Sequence, residues 1–302
     1  MKRYQQQFKA LGSDVVITLV SVEDEDSIET IFDSLHDKIH DFEERFSRFI
    51  KTSELTYFNQ RAGQKTKLSS AFIELLSEAK KLSLITNEIY NPFILPALQQ
   101  SGYMVSWNND FEAIDYSDRK VFSANEIEIG DSWAKIPESS AIDFGGIGKG
   151  YLLDQLHQFL LGEDLEGYWV SLGGDIICNG YDLDKTDWVV AVQDAKSLHK
   201  TAGKISSSDG QFTAIATSGI TKRKGVKDGK AWHHIIDPRT GEPAKTDILT
   251  ITITASSATE ADVFCKCILI EGTESADSFI AKALIQSYLV QLSSDRATIL
   301  KS

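Results

Sequence analysis

AIDFGGIGKGYLLD, residues 141–154, crowds four glycines and one lysine between two aspartates, at the point where a helical pattern begins. Glycine lets backbone N–H groups come close to an anion, and a helix starting near Gly148 would turn its positive end the same way. The alternative is a tight strand-to-helix turn that binds nothing. Familiar phosphate loops do not match. A Walker A loop has a glycine where Asp143 stands and a hydroxyl where Gly150 stands, and a dinucleotide fingerprint that opens at Gly146 and Gly148 closes wrongly on Tyr151. Asp143-Phe144-Gly145 lacks the other kinase motifs.

Outward from this stretch the chain reads as α+β. Ile28, Ile31, Phe32, Leu35, Ile39, Phe42 and Phe46 recur every three or four residues, which predicts a helix over about 26–49, and a second is expected over about 70–85. Residues 10–20 and 168–180 read as strands, as do 188–193, 212–218, 233–237 and 249–256. Helices follow at about 259–271 and 274–285, then a closing hairpin. NPFILPAL (91–98) holds two prolines and cannot be one unbroken helix. The polar region over about 99–140 is where an excursion or subdomain is expected. Strands and helices mix without a regular βαβ alternation, so the expectation is one domain over 1–302 of mixed sheets and packed helices, or two intimate subdomains.

The net charge of −13 argues against nucleic acid or an anionic membrane as the main partner. An acidic protein that binds a phosphate must build a local cationic site. Three cysteines without a C-x-x-C pair give no disulfide framework and read as buried thiols. No apolar run is long enough for a transmembrane helix, and the N-terminus carries no secretory pattern. Cytoplasmic is the default expectation, or the cell surface if a leader has been removed.

Other clusters carry chemistry. SLGGDIICNG (171–180) puts Gly-Gly-Asp inside a strand pattern, where glycine marks a close approach, and ATSGITKR (216–223) ends a strand in small hydroxyl residues. HHIIDPRTGEPA (233–244) offers two adjacent histidines, at most one of which faces a given site. Asp262 and Lys266, four residues apart, share a helix face.

Taken in order, LGS (11–13), SELTYFN (53–59), YNPFILPAL (90–98), the opening stretch, SLGGDIICNG, ATSG, HHIIDPRTGEPA and the Ala261-Asp262 pair resemble the ApbE family of flavin transferases over about residues 8–270. The resemblance implies a domain that binds FAD, uses Mg2+ and moves FMN onto a threonine hydroxyl of an acceptor protein, releasing AMP. It implies cofactor contacts from Leu11, Phe49, Ile89, Tyr90, Asn91, Asp143, Lys149 and Ile236. It puts the metal at the Gly146 carbonyl, Asp262 and position 266, and catalysis at His234 and Asp262. Three departures stand out. Lys266 replaces a metal-binding threonine, although an ammonium only donates and cannot ligate a cation. Asn91 replaces an aspartate and Phe93 a threonine, which removes a charge and a hydroxyl from the cofactor neighbourhood. A FAD-binding protein with lost catalysis and a FAD pyrophosphatase are the alternatives.

Overall fold

The structure is a computed structural model that describes residues 1–104, 113–197, 199–227, 229–274, 276, 279, 285–293 and 297–301. Its frame is an eight-stranded antiparallel sheet: β1 Lys2–Ala10, β2 Ser13–Ser21, β3 Gly167–Leu172, β4 Asp175–Gly180, β5 Thr213–Gly219, β6 Ile248–Ala255, β7 Ser287–Leu292 and β8 Ala297–Lys301. Spatial order equals chain order, so every strand pairs with its sequence neighbours and no crossover is needed.

The period of two sorts the faces. Val15, Ile17 and Leu19 of β2, with Tyr168, Val170 and Leu172 of β3, pack against the helices α1 Glu25–Phe46 and α5 Gly148–Leu160. The opposite face carries Trp169, Ile176 and Ile215, covered by a hairpin of Val189–Gln193 and Thr201–Ser206. Further along the sheet, Ala216, Ile251 and Ile253 meet α3 Ser70–Ile85 and α6 Ala258–Glu271 in a second cluster. Ala124, Ile127, Ala134 and Ile136 join that cluster from a segment that forms a small three-stranded sheet, Trp133–Lys135 between Thr66–Lys67 and Glu128–Ile129.

Of the single strands expected from the sequence, that over 168–180 is a hairpin, and that over 10–20 is β2 with the preceding hairpin turn at its start. Residues 10–20 turn at Leu11 and Gly12, both left-handed with φ of 56° and 60°, and 168–180 turns at Gly173 and Gly174, with φ of 65° and 101°. A two-residue hairpin turn demands that conformation, so alternation runs on through the loop and hides it. The expected strand over 233–237 is also divided, between Lys230–His233 and Ile236–Asp237. The double-proline stretch forms a 3-10 turn, Pro92–Ile94, then α4 Leu95–Ser101. Most of the helix expected over 274–285 lies outside the described residues.

α5 and α6 cap one another, and this reciprocity positions the site. Asp154 of α5 accepts from the Ala258 and Thr259 amides at 2.8 and 2.9 Å and from both hydroxyls, Ser257 at 2.8 Å and Thr259 at 2.6 Å. Asp262 of α6 in turn accepts from the Gly150 amide at 3.2 Å, on the first turn of α5. The helices come that close because residue 150 is glycine: a Cβ there would lie 2.3 Å from the Ala258 carbonyl oxygen. Asp154→Ala should therefore lose about 2 kcal/mol of stability, the upper range for an N-terminal cap. Urea titration reads the loss, and an unchanged midpoint would contradict the capping role.

Candidate functional site

Between the hairpin turn at Leu11, the end of α1, the Asp143–Lys149 turn and α6 lies a cavity of about 450 Å³. That volume falls within the usual range for small-molecule sites, about 300–1,000 Å³. Leu11, Phe49, Ile89, Tyr90, Asn91, Asp143, Gly146, Lys149, His234, Ile236 and Lys266 all line it. Asp262 stands behind Lys266, only 2% exposed. Residues as far apart in sequence as 11 and 266 thus meet around one space.

The loop carrying Arg48 and Phe49 is fixed from α2 Glu54–Asn59. Ser53 caps that helix, the Thr56 hydroxyl donates to the Ile50 carbonyl at 2.8 Å, and Glu54 accepts from the Ser69 amide at 2.6 Å, tying α2 to the start of α3. Asn59 pairs with both backbone groups of Ile142, at 2.9 and 2.8 Å, and so holds the chain just before Asp143. These roles account for the SELTYFN motif without any contact to a ligand.

Three ion pairs organise the wall. Arg48 donates to Asp143 Oδ2 at 2.8 Å, with both side chains under 10% exposed. Lys149 pairs with Asp175, whose other oxygen accepts from the Thr217 amide at 3.1 Å. Lys266 pairs with Asp262 Oδ1 and also donates to the Asp262 main-chain carbonyl at 3.0 Å. Burial pushes Lys149 down to about 8, with the charge of Asp262 opposing the shift, so the group is still an ammonium at neutral pH.

Several donors on this wall have no protein partner. Arg48 Nε and Nη2 are buried and unpaired, as is the Tyr90 hydroxyl. Burial, reinforced by Asp143 and Asp262, pushes the Tyr90 phenol well above its ordinary value, so it is a donor. Buried donors left alone cost about 1–3 kcal/mol each, a penalty that an acceptor-rich ligand would remove. Arg48 also lies 4.6 Å from the Phe49 ring centre and 4.7 Å from that of Tyr103. Flat aromatic surface and cationic donors therefore share the same cavity.

His234 Nδ1 lies 3.2 Å from the Arg223 carbonyl, an acceptor, so Nδ1 carries the proton and Nε2 keeps its lone pair. Burial first, then the charge of Arg223, pushes this imidazole down to about 3. His233 Nε2 instead meets the Ala244 carbonyl at 3.2 Å and does not line the cavity.

The glycines answer to protein atoms. Besides Gly150 against α6, a Cβ on Gly146 would meet the Tyr90 ring at 3.0 Å and one on Gly145 would meet Asp143 Oδ2 at 2.8 Å. The sequence reading, that bare backbone makes room for the ligand, is corrected to that extent: the side chains that line the cavity need the room. The positive end of α5 is likewise answered by Asp262. Asn91 and Phe93 bear on the ligand less directly than expected. The Asn91 amide is committed to the Phe122 carbonyl and the Phe93 amide, and Phe93 is fully buried.

Gly146, Asp262 and Lys266 do not fit a divalent cation as they stand. The Lys266 ammonium engages two Asp262 oxygens and the Gly150 amide engages the third. Among the described residues no group of three or more His, Cys, Asp or Glu is placed to hold a metal ion. Sequence reasoning gave no role to Arg48, Tyr103, Arg223 or Asp175. Only Asp175 had been marked by its glycines, and the pairing of Arg48 with Asp143 spans 95 residues. The three thiols are free and buried as expected, with Cys178, Cys265 and Cys267 each pushed up to about 12 by burial. Among the described residues no helix is long and apolar enough to cross a membrane.

A family model described as the ApbE family matches residues 11–289. A FAD:protein FMN transferase of Vibrio cholerae is 26% identical over 258 residues, 84% of this chain and 76% of its own length. One from Klebsiella pneumoniae is 22% identical over 295 residues, 93% and 82%. The ApbE protein of Thermotoga maritima superposes with a TM-score of 0.83 at 24% identity, covering 100% of this chain and 97% of that one. The apo flavinyl transferase ApbE of Pseudomonas stutzeri also gives 0.83, at 18% identity over 100% and 95%.

Proposed function

The chain belongs to the ApbE family, and from that premise we propose that it is a FAD:protein FMN transferase, moving FMN from FAD to a threonine hydroxyl of an acceptor protein and releasing AMP. The observation that carries this reading is the cavity itself: a −13 protein has gathered Lys149, Lys266, Arg223 and Arg48 around one space that Phe49, Tyr103 and Ile236 keep partly apolar. A diphosphate joined to a flat heterocycle matches both characters.

In the proposed reaction the acceptor oxygen attacks the phosphorus of the FMN half. A new O–P bond forms, the diphosphate bridge breaks, and AMP leaves with the bridging oxygen. The hydroxyl proton needs a base. His234 Nε2 is available for it, whereas both carboxylate oxygens of Asp262 are engaged. Lys149 and Lys266 neutralise charge on the transferring phosphate, the main task in phosphoryl transfer. Leu11, Phe49, Ile89, Tyr90, Asn91, Asp143 and Ile236 would hold the flavin.

Incubation with FAD and a threonine-bearing acceptor domain tests the proposal. AMP and flavin mass on the acceptor should rise in equal amounts. AMP with free FMN would instead make the protein a FAD pyrophosphatase, and bound but intact FAD would make it a carrier.

A further inference from the structure

We propose that Lys266 is a built-in replacement for a divalent cation, so that the protein neutralises its ligand's phosphates with its own ammonium and binds that ligand without metal. The FAD part of the test rests on the function proposed above, and the metal part does not.

Three observations place the ammonium where an ion would have to sit. Asp262 is 2% exposed, and a carboxylate that deep needs a positive partner. Lys266 supplies it from the same helix, contacting Oδ1 and the main-chain carbonyl of Asp262. Its stem also passes Gly146: a Cβ on that glycine would lie 3.7 Å from Lys266 Cδ. The lysine therefore contacts Asp262 and passes close to Gly146, the two residues to which the resemblance assigns the cation.

An exposed i,i+4 pair would contribute little and would mean little. Here the carboxylate is buried, the Lys266 side chain is 19% exposed, and that side chain lines the cavity. The pair faces a ligand site. Lys149, itself paired with Asp175, and Arg223 line the same cavity, so the Lys266 ammonium is one of several cationic groups that a diphosphate would meet there. A magnesium ion demands oxygen ligands at about 2.0–2.1 Å in near-ideal geometry. A lysine demands only acceptors, which a diphosphate has in excess.

The test uses Mn2+ as the divalent probe, followed by electron paramagnetic resonance, and FAD followed by quenching of its fluorescence. Wild-type protein should leave the free Mn2+ signal undiminished, apart from any uptake that survives Asp262→Asn. Its FAD affinity should agree within about twofold between EDTA and saturating Mg2+. Lys266→Thr should take up Mn2+ and make FAD affinity depend on Mg2+ by more than about tenfold. Lys266→Met, which neither ligates nor carries charge, should lose about tenfold in FAD affinity with no rescue by Mg2+. Wild-type Mn2+ uptake abolished by Asp262→Asn would overturn the inference. So would unchanged FAD affinity in Lys266→Met. FAD binding in none of the proteins would remove the flavin reading alone, and the Mn2+ comparison would still decide the role of Lys266.

Discussion

Asp143→Ala is expected to destabilise the protein by about 3–5 kcal/mol, the usual cost of leaving one member of a buried ion pair alone. The carboxylate accepts from Arg48 at 2.8 Å and from the Gly145 amide at 3.1 Å, in a place that neither side chain shares much with water. Arg48 already has two unpaired nitrogens, so losing Asp143 strips the guanidinium of its only protein hydrogen bond among the described residues. Removing the charge as well should be gentler: Asp143→Ala with Arg48→Met should cost clearly less than the two single changes summed. A full double-mutant cycle in guanidinium measures this. Additive single effects, or a loss under about 1 kcal/mol for Asp143→Ala, would show that the pair is not coupled as drawn. The cycle also separates two roles of Asp143. The resemblance makes it a cofactor contact, whereas the structure also makes it the anchor of the Arg48–Phe49 loop. Protein stability measured without FAD reports on the anchor alone.

How far this arrangement could be read in advance depends on range. The helices α1 and α3 were legible because their apolar faces repeat within a few residues, and each side chain's burial follows from its neighbours on one helix. The β3–β4 hairpin was not, since Gly173-Gly174 sits inside one continuous apolar pattern. β1 itself, KRYQQQFKA, is an edge strand with one face in water, too polar to stand out. Motif residues announced a site without announcing their work. Asp154, Asn59 and Glu54 sit in matched motifs, yet their bonds go to a helix cap and to backbone. The pairs that shape the cavity, Arg48 with Asp143 and Lys149 with Asp175, join segments that only the fold brings together. Lys266 is the opposite case: its partner is one turn away, so the pair was legible, and what needed the structure was its burial.

The second large effect is on acid stability and comes from His234. Its folded value, about 3, lies below the ordinary 6.5 because burial and the charges of Arg223 and Lys266 disfavour the imidazolium. The unfolded chain therefore binds a proton that the folded chain refuses, throughout the window between those values. Stability from this group is complete above pH 6.5 and falls as pH drops, by up to about 1.4 kcal/mol per pH unit. Summed over the window, that is comparable to the loss of the Asp143 pair. His157 and His233 are also lowered by burial, so wild-type slope alone does not isolate the residue. The difference between wild type and His234→Gln does: the variant should lose less stability between pH 6.5 and 4, measured by urea titration at each pH. Parallel profiles, or an imidazole resonance of His234 that titrates near 6 in the ligand-free protein, would refute the assignment. The same charges link this residue to ligand binding. A diphosphate beside Arg223 and Lys266 offsets two of the causes that hold His234 neutral, so FAD should raise its pKa towards the range where a base can take a hydroxyl proton at neutral pH. The imidazole would then become competent when the ligand arrives, and a histidine titration repeated with FAD bound shows whether the shift occurs.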